Sequence, residues 1–122
     1  MLIERALNPW PSSQIATATA AATTNAKAGF QKTSDAIREA AQAERARQGM
    51  GCTLDVVLLR GNGALLAHVG DSRVYLLRGT ALQQLTDDHT VGEMLREAGV
   101  ITAEQLARHP QRGVLTRAMG VF

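Results

Sequence analysis

The sequence predicts an α+β fold made of one long scaffold helix, an antiparallel β-meander and two short helices. Three observations carry this. Between Lys27 and Arg47, Phe30, Thr33, Ile37, Ala40 and Ala41 recur at helical spacing while Lys32, Arg38, Glu39 and Arg45 fall mostly elsewhere. From Leu54 to Leu85 the pattern changes to short runs rich in valine and leucine, separated by glycine-containing turns. Beyond Asp88, helix-start signals return in close succession.

Taken in order, residues 1–7 have helical spacing at Leu2, Ala6 and Ile3, Leu7, which Pro9 and Pro11 around Trp10 bring to an end. Residues 16–28 are biased to alanine and threonine and fit either a linker or a weak helix, because the two residue types pull helix propensity in opposite directions. The scaffold helix is expected over 26–48, stopped by Gly49, with its apolar stripe packed against a sheet. The meander is expected over 51–86, with strands at Leu54–Leu59, Ala64–Val69, Val74–Leu77 and Ala81–Leu85. Asn62-Gly63 is read as the centre of its first hairpin, since both residues tolerate the positive φ of a type I′ turn.

A two-helix lobe is expected over 88–113. Thr90 with Glu93, and Thr102 with Gln105, have the spacing of capping boxes, in which each side chain satisfies the other residue's free backbone N–H. Gly99 stands where a left-handed C-terminal cap belongs, and Pro110 closes the second helix. Residues 114–122 are expected to start the next element.

The 122 residues suit a single domain. Only 3% are aromatic against 45% hydrophobic, so aliphatic side chains and alanine must fill the core. The net charge of +2 arises from 13 basic and 11 acidic residues that are interspersed, without the basic stripe and interleaved aromatics of a nucleic-acid reader. Cys52 is the only cysteine, which excludes an internal disulfide and an all-cysteine zinc site and suits a reducing compartment. With no long apolar segment, the expected location is cytoplasmic, away from membranes.

Asp71 follows a glycine between two expected strands, where a sharp turn would expose its carboxylate. Gly70-Asp71-Ser72 is ordinary turn chemistry, and a carboxylate so placed can also ligate a hard cation such as magnesium or manganese in concert with others. The surrounding order is more specific. Gly49-Met50-Gly51-Cys52-Thr53, Ala67 to Leu77 with His68-Val69-Gly70-Asp71-Ser72-Arg73 at its centre, Leu85-Thr86-Asp87-Asp88-His89, His109-Pro110-Gln111-Arg112 and Leu115 to Gly120 follow one another over about seventy residues.

This series resembles bacterial type 2C, metal-dependent protein serine/threonine phosphatases. The resemblance implies a partial α-β-β-α sandwich, an internal fragment of a domain that hydrolyses phosphoserine and phosphothreonine with water activated at a two-metal centre of magnesium or manganese. Asp71 matches the family aspartate that helps hold an additional metal beside that centre. Asp88 to Gly113 matches the flap over the active site, with Asp88, His89 and Arg112 as its candidate substrate-side residues. His68 is expected to be packed in its strand, and Arg73 to pair with a carboxylate.

The departures shape the functional expectation. The family's principal metal ligands lie in Asp-Gly and Asp-Asn pairs, whereas Asp35, Asp55, Asp71, Asp87 and Asp88 are followed by neither glycine nor asparagine. Asp87, Asp88 and His89 could be offered as substitute ligands, but acidic residues just before Thr90 also suit a turn and a helix start, which is the reading preferred. Cys52 stands where the family has threonine and is expected to be a small buried residue. The chain is expected to be a middle without its two ends, marginally stable and inactive alone, with no catalytic residue assigned to it. The alternative is a non-catalytic interaction module that binds a phosphoprotein or a serine/threonine kinase.

Overall fold

The computed structural model describes residues 12–60 and 63–121. The expected helix over residues 1–7 and its proline stop lie outside them. Helix α1 spans Ser12–Ala43, so the alanine and threonine stretch is helical and continuous with the scaffold. Alanine outweighs threonine once the apolar stripe further along anchors the helix. The chain leaves the helix at Glu44, with φ −131° and ψ 124°, earlier than the expected end at 48, and makes a single 3₁₀ turn at Arg45–Arg47.

Strands β1 (Leu54–Arg60) and β2 (Gly63–Val69) pair antiparallel, as do β3 (Tyr75–Arg78) and β4 (Ala81–Gln84). The expected meander is thus divided into two separate two-stranded ladders. The break falls at Gly70-Asp71-Ser72-Arg73-Val74, where the backbone turns away from β2 and bonds instead to the segment leading into the lobe. Gly63 is not at the centre of the first hairpin. It is the first residue of β2, paired with Arg60, and Asn62 lies outside the described residues.

Helix α1 packs on β2, and β2 is buried from Gly63 to His68, both faces included. The core consists of Ala41, Ala64, Leu65, Leu66, Ala67, Leu85, Ala118 and Met119, as light and aliphatic as the composition requires. A second tether joins α1 to the C-terminal segment: the Gly120 N–H donates to the buried Ser34 Oγ at 2.9 Å. By contrast β1 exposes Val56, Val57, Leu58 and Leu59, and Tyr75, Leu77 and Leu82 are exposed on β3 and β4.

Cys52 differs from expectation. Its backbone forms a bridge with Met119, donating at 3.2 Å and accepting at 2.8 Å, yet its side chain is exposed. The pairing satisfies the peptide groups at the edge of the ladder without covering the thiol.

Helices α2 (Val91–Glu97) and α3 (Ala103–Arg108) form the lobe. Thr102 and Gln105 make the full capping box, at 2.8 and 3.2 Å. Thr90 makes half of one: its hydroxyl accepts from the Glu93 N–H at 3.2 Å, but the Glu93 carboxylate turns to Arg96, three residues on, and the Thr90 N–H donates to the Asp88 carbonyl. Gly92 brings the two halves of the lobe together, since a Cβ there would lie 2.7 Å from Arg112 Cα and 2.5 Å from Leu106 Cδ1. Among the described residues no helix is long and apolar enough to cross a membrane.

Candidate functional site

The 70–74 break is built on Gly70. Its φ of +111° lies in a region that side chains rarely adopt, and a Cβ would sit 2.2 Å from Thr53 Cγ2 and 2.6 Å from Thr53 Cβ. The chain can therefore reverse against Thr53 only with glycine, and the reversal leaves Asp71 exposed. Asp71 stands alone as a potential ligand: among the described residues no three His, Cys, Asp or Glu side chains gather closely enough to hold a metal ion.

Behind this turn lies a polar network with His68 at its centre. Position 68 is fully buried in β2, and the hairpin register sets Asp55 directly across from it. Asp55 Oδ1 lies 2.5 Å from His68 Nδ1, and His68 Nε2 lies 3.1 Å from the carbonyl oxygen of Asp87. A carbonyl can only accept, so Nε2 carries a proton, and a contact of 2.5 Å to a carboxylate requires a second proton between Nδ1 and Asp55. Asp55 thereby compensates the charge of a histidine that burial alone would leave exposed to a large desolvation cost.

His89 stacks on His68, with ring centroids 4.7 Å apart and planes at 29°. It is only 7% exposed. Its Nδ1 accepts from the Gly70 N–H at 3.0 Å, its own N–H donates to the Gly70 carbonyl at 2.8 Å, and its carbonyl accepts from the Thr116 N–H at 2.8 Å. Burial, then the charge of His68, then that of Arg117 lower its pKa from 6.5 to about 4. An Nδ1 that accepts is unprotonated, so the ring is neutral at pH 7 with its proton on Nε2, which is buried without a hydrogen-bond partner.

Arg73 fixes the other end of the turn. Its Nε and Nη2 donate to Asp88 Oδ1 and Oδ2 at 2.8 and 2.7 Å, a two-pronged pair that occupies both carboxylate oxygens. The Val74 N–H donates to Thr86 Oγ1 at 3.1 Å, and the Leu85 N–H to the Val74 carbonyl at 2.8 Å. Of the residues singled out from sequence, Asp71, Asp88 and His89 thus converge at the Gly70 turn, with Asp88 and His89 both engaged by the β2–β3 connection. Arg112 is exposed, and its Cα and Cβ lie against Gly92 of α2, within the lobe. Asp55 as the partner of His68, and Thr53 as the residue packed on Gly70, were not read from sequence. Spacing alone carried no signal for them until the register was known.

The sequence model of the family described as Protein phosphatase 2C matches residues 5–106. The chain belongs to the protein phosphatase 2C family. Protein phosphatase PhpP of Streptococcus pneumoniae is 43% identical over 77 residues, which cover 63% of this chain and 31% of that protein. Serine/threonine protein phosphatase PstP of Mycobacterium tuberculosis is 44% identical over 84 residues, covering 69% of this chain and 16% of that one. Among solved structures, the serine/threonine phosphatase Stp1 of Staphylococcus aureus superposes with a TM-score of 0.77 at 28% identity, over 95% of this chain and 43% of that chain. The crystal structure of the M. tuberculosis phosphatase gives 0.67 at 42% identity, over 73% of this chain and 38% of that chain. The chain spans about a third or less of the length of the phosphatases it matches in sequence. The α+β expectation is met by these structural neighbours.

Proposed function

We propose that this chain is the flap-bearing part of a metal-dependent phosphatase acting on phosphoserine and phosphothreonine in proteins, and that it does not hydrolyse phosphate esters by itself. The observation that carries this reading is the isolation of Asp71, an exposed carboxylate with no second and third donor beside it among the described residues. Two divalent ions roughly 3.5 to 4 Å apart need several carboxylates to offset their charge. Asp55 is committed to His68 and Asp88 to Arg73, so neither is free to supply one. No Asp-Gly or Asp-Asn pair occurs anywhere in the sequence. A magnesium or manganese centre therefore does not fit the residues present, and Asp71 fits an outlying ligand whose partners another segment would provide.

In this reading the chain's own contribution is placement. The Gly70 reversal presents Asp71, and the His89 and Arg73 contacts seat the lobe of α2 and α3 beside it, with Asp88 and His89 acting as anchors rather than as groups that touch substrate. The test is hydrolysis of p-nitrophenyl phosphate and of a phosphothreonine peptide by the purified chain with millimolar manganese. No turnover above background is expected. Manganese-dependent turnover that disappears in Asp71→Ala would refute the proposal, and tight phosphopeptide binding in the presence of chelator would favour a metal-free module that recognises a phosphoprotein.

A further inference from the structure

We propose that Asp55, His68 and His89 form an acid-sensitive clasp that holds the root of the α2–α3 lobe on the Gly70–Asp71 turn, and that protonation of the His89 ring opens it. The inference does not depend on hydrolytic activity.

The geometry has two parts. His89 and Gly70 exchange two hydrogen bonds, one through the ring and one through the backbone, and these join the segment entering α2 to the end of β2. The ring bond works only while Nδ1 has a free lone pair. Once Nδ1 takes up a proton, it and the Gly70 N–H become two donors facing each other at 3.0 Å, and the bond turns into a repulsion. The second part is the environment of the ring. From β2 it faces His68, stacked at 4.7 Å and held in place by Asp55 of β1. The C-terminal segment contributes Arg117, and the ring's own segment contributes Asp87 and Asp88. Asp87 alone would favour the charged ring; Asp55 is occupied by His68 and Asp88 by Arg73, so neither is available to compensate a new cation. Among the described residues protonated His89 has no acceptor in the closed structure, and even the Nε2 proton it already carries is unpartnered there. Moving the ring into water relieves both problems, and that movement removes the ring's hold on the turn carrying Asp71, leaving the Arg73–Asp88 pair and the backbone bond as the remaining ties.

The sign follows from the direction of the shift. The closed form binds the His89 proton more weakly than free histidine, so closure is fully favoured above the ordinary value of 6.5 and is lost as pH falls toward about 4. Across that window the opening constant should rise by on the order of a hundredfold.

The experiment uses the full 122-residue chain, with ring-resolved NMR of the histidines and amide hydrogen exchange at Gly70, corrected for the intrinsic pH dependence of exchange. The expected result is a Gly70 amide well protected at pH 7 whose protection falls as His89 titrates well below 6. His89→Asn supplies a side-chain oxygen that can accept from the Gly70 N–H but cannot titrate, so protection in that variant should stay level with pH. An unprotected Gly70 amide at pH 7, a His89 ring that titrates near 6.5, or protection independent of pH in the wild-type chain would each overturn the clasp. The wild-type measurements decide the matter even if the variant fails to fold. Should His89→Asn fold and retain the wild-type pH dependence, His89 is not the titrating group and the proposal fails.

Discussion

Substituting Gly70 by alanine tests the geometry on which the whole site depends. Two costs are expected. The backbone at φ +111° lies outside the regions open to a side chain, which costs about 1–3 kcal/mol for a non-glycine residue. The added Cβ would also stand 2.2 Å from Thr53 Cγ2, 2.6 Å from its Cβ and 3.1 Å from its Cα. The methyl group could rotate away, but the Cα could move only with the β1 approach, so overpacking adds about 1–3 kcal/mol. The sum, about 2–6 kcal/mol, is a large share of the stability of any small domain. The assay is urea unfolding at pH 7 followed by far-ultraviolet circular dichroism, with Gly79→Ala as the reference. Gly79 also has positive φ, at 60°, but a Cβ there meets nothing within 4 Å, so it should lose only about 1 kcal/mol. Thr53→Ser removes the nearest methyl and should recover about 1 kcal/mol when combined with Gly70→Ala, a coupling that independent sites would not show. A Gly70→Ala chain no less stable than Gly79→Ala would refute the argument that contact with Thr53 forces glycine at the turn.

Two further outcomes follow from the same structure. Asp55→Asn keeps an acceptor opposite His68 but removes the compensating charge from a fully buried ring, so stability at pH 7 should fall by about 2 kcal/mol or more; a urea midpoint unchanged from wild type would show that the pair carries no such burden. Thr102→Ala removes the side-chain acceptor of the complete capping box and should cost about 1 kcal/mol, read as a loss of amide protection confined to α3; unchanged protection there would show that the cap does not hold the helix end.

Much of the fold was legible because it rests on local rules. The helical stripe around Ile37, the short apolar run around Leu66 and the cap at Thr102 are properties of neighbouring residues, and the structure places a helix, strands and a capped helix there. Arg73 was expected to find a carboxylate and His68 to be packed, and both expectations hold, although neither partner could be named. Where sequence reasoning went astray, the cause was non-local. Cys52 looked like a core residue by size and polarity, but whether a strand edge is covered depends on what lies beyond it. Thr90 and Glu93 have the spacing of a box, but Arg96 competes for the carboxylate. The meander looked continuous because each run is strand-like, yet Gly70 redirects the backbone to a different partner.

What the sequence by itself determined was the family, through an ordered series of short motifs, and the absence of Asp-Gly and Asp-Asn pairs that leaves Asp71 short of partners. Only the tertiary structure decided which groups meet. A hairpin register that pairs residue 60 with 63 puts Asp55 across from His68, whereas a connection centred on 62 and 63 would have set Asp55 opposite Gly70. The stacking of His89 on His68 and its bond to Gly70 join residues nineteen or more positions apart, a distance no local periodicity reports. Asp71 thus keeps its place at the head of the recognisable motif, while the charge-compensated chemistry of the site lies one turn behind it, in Asp55, His68 and His89.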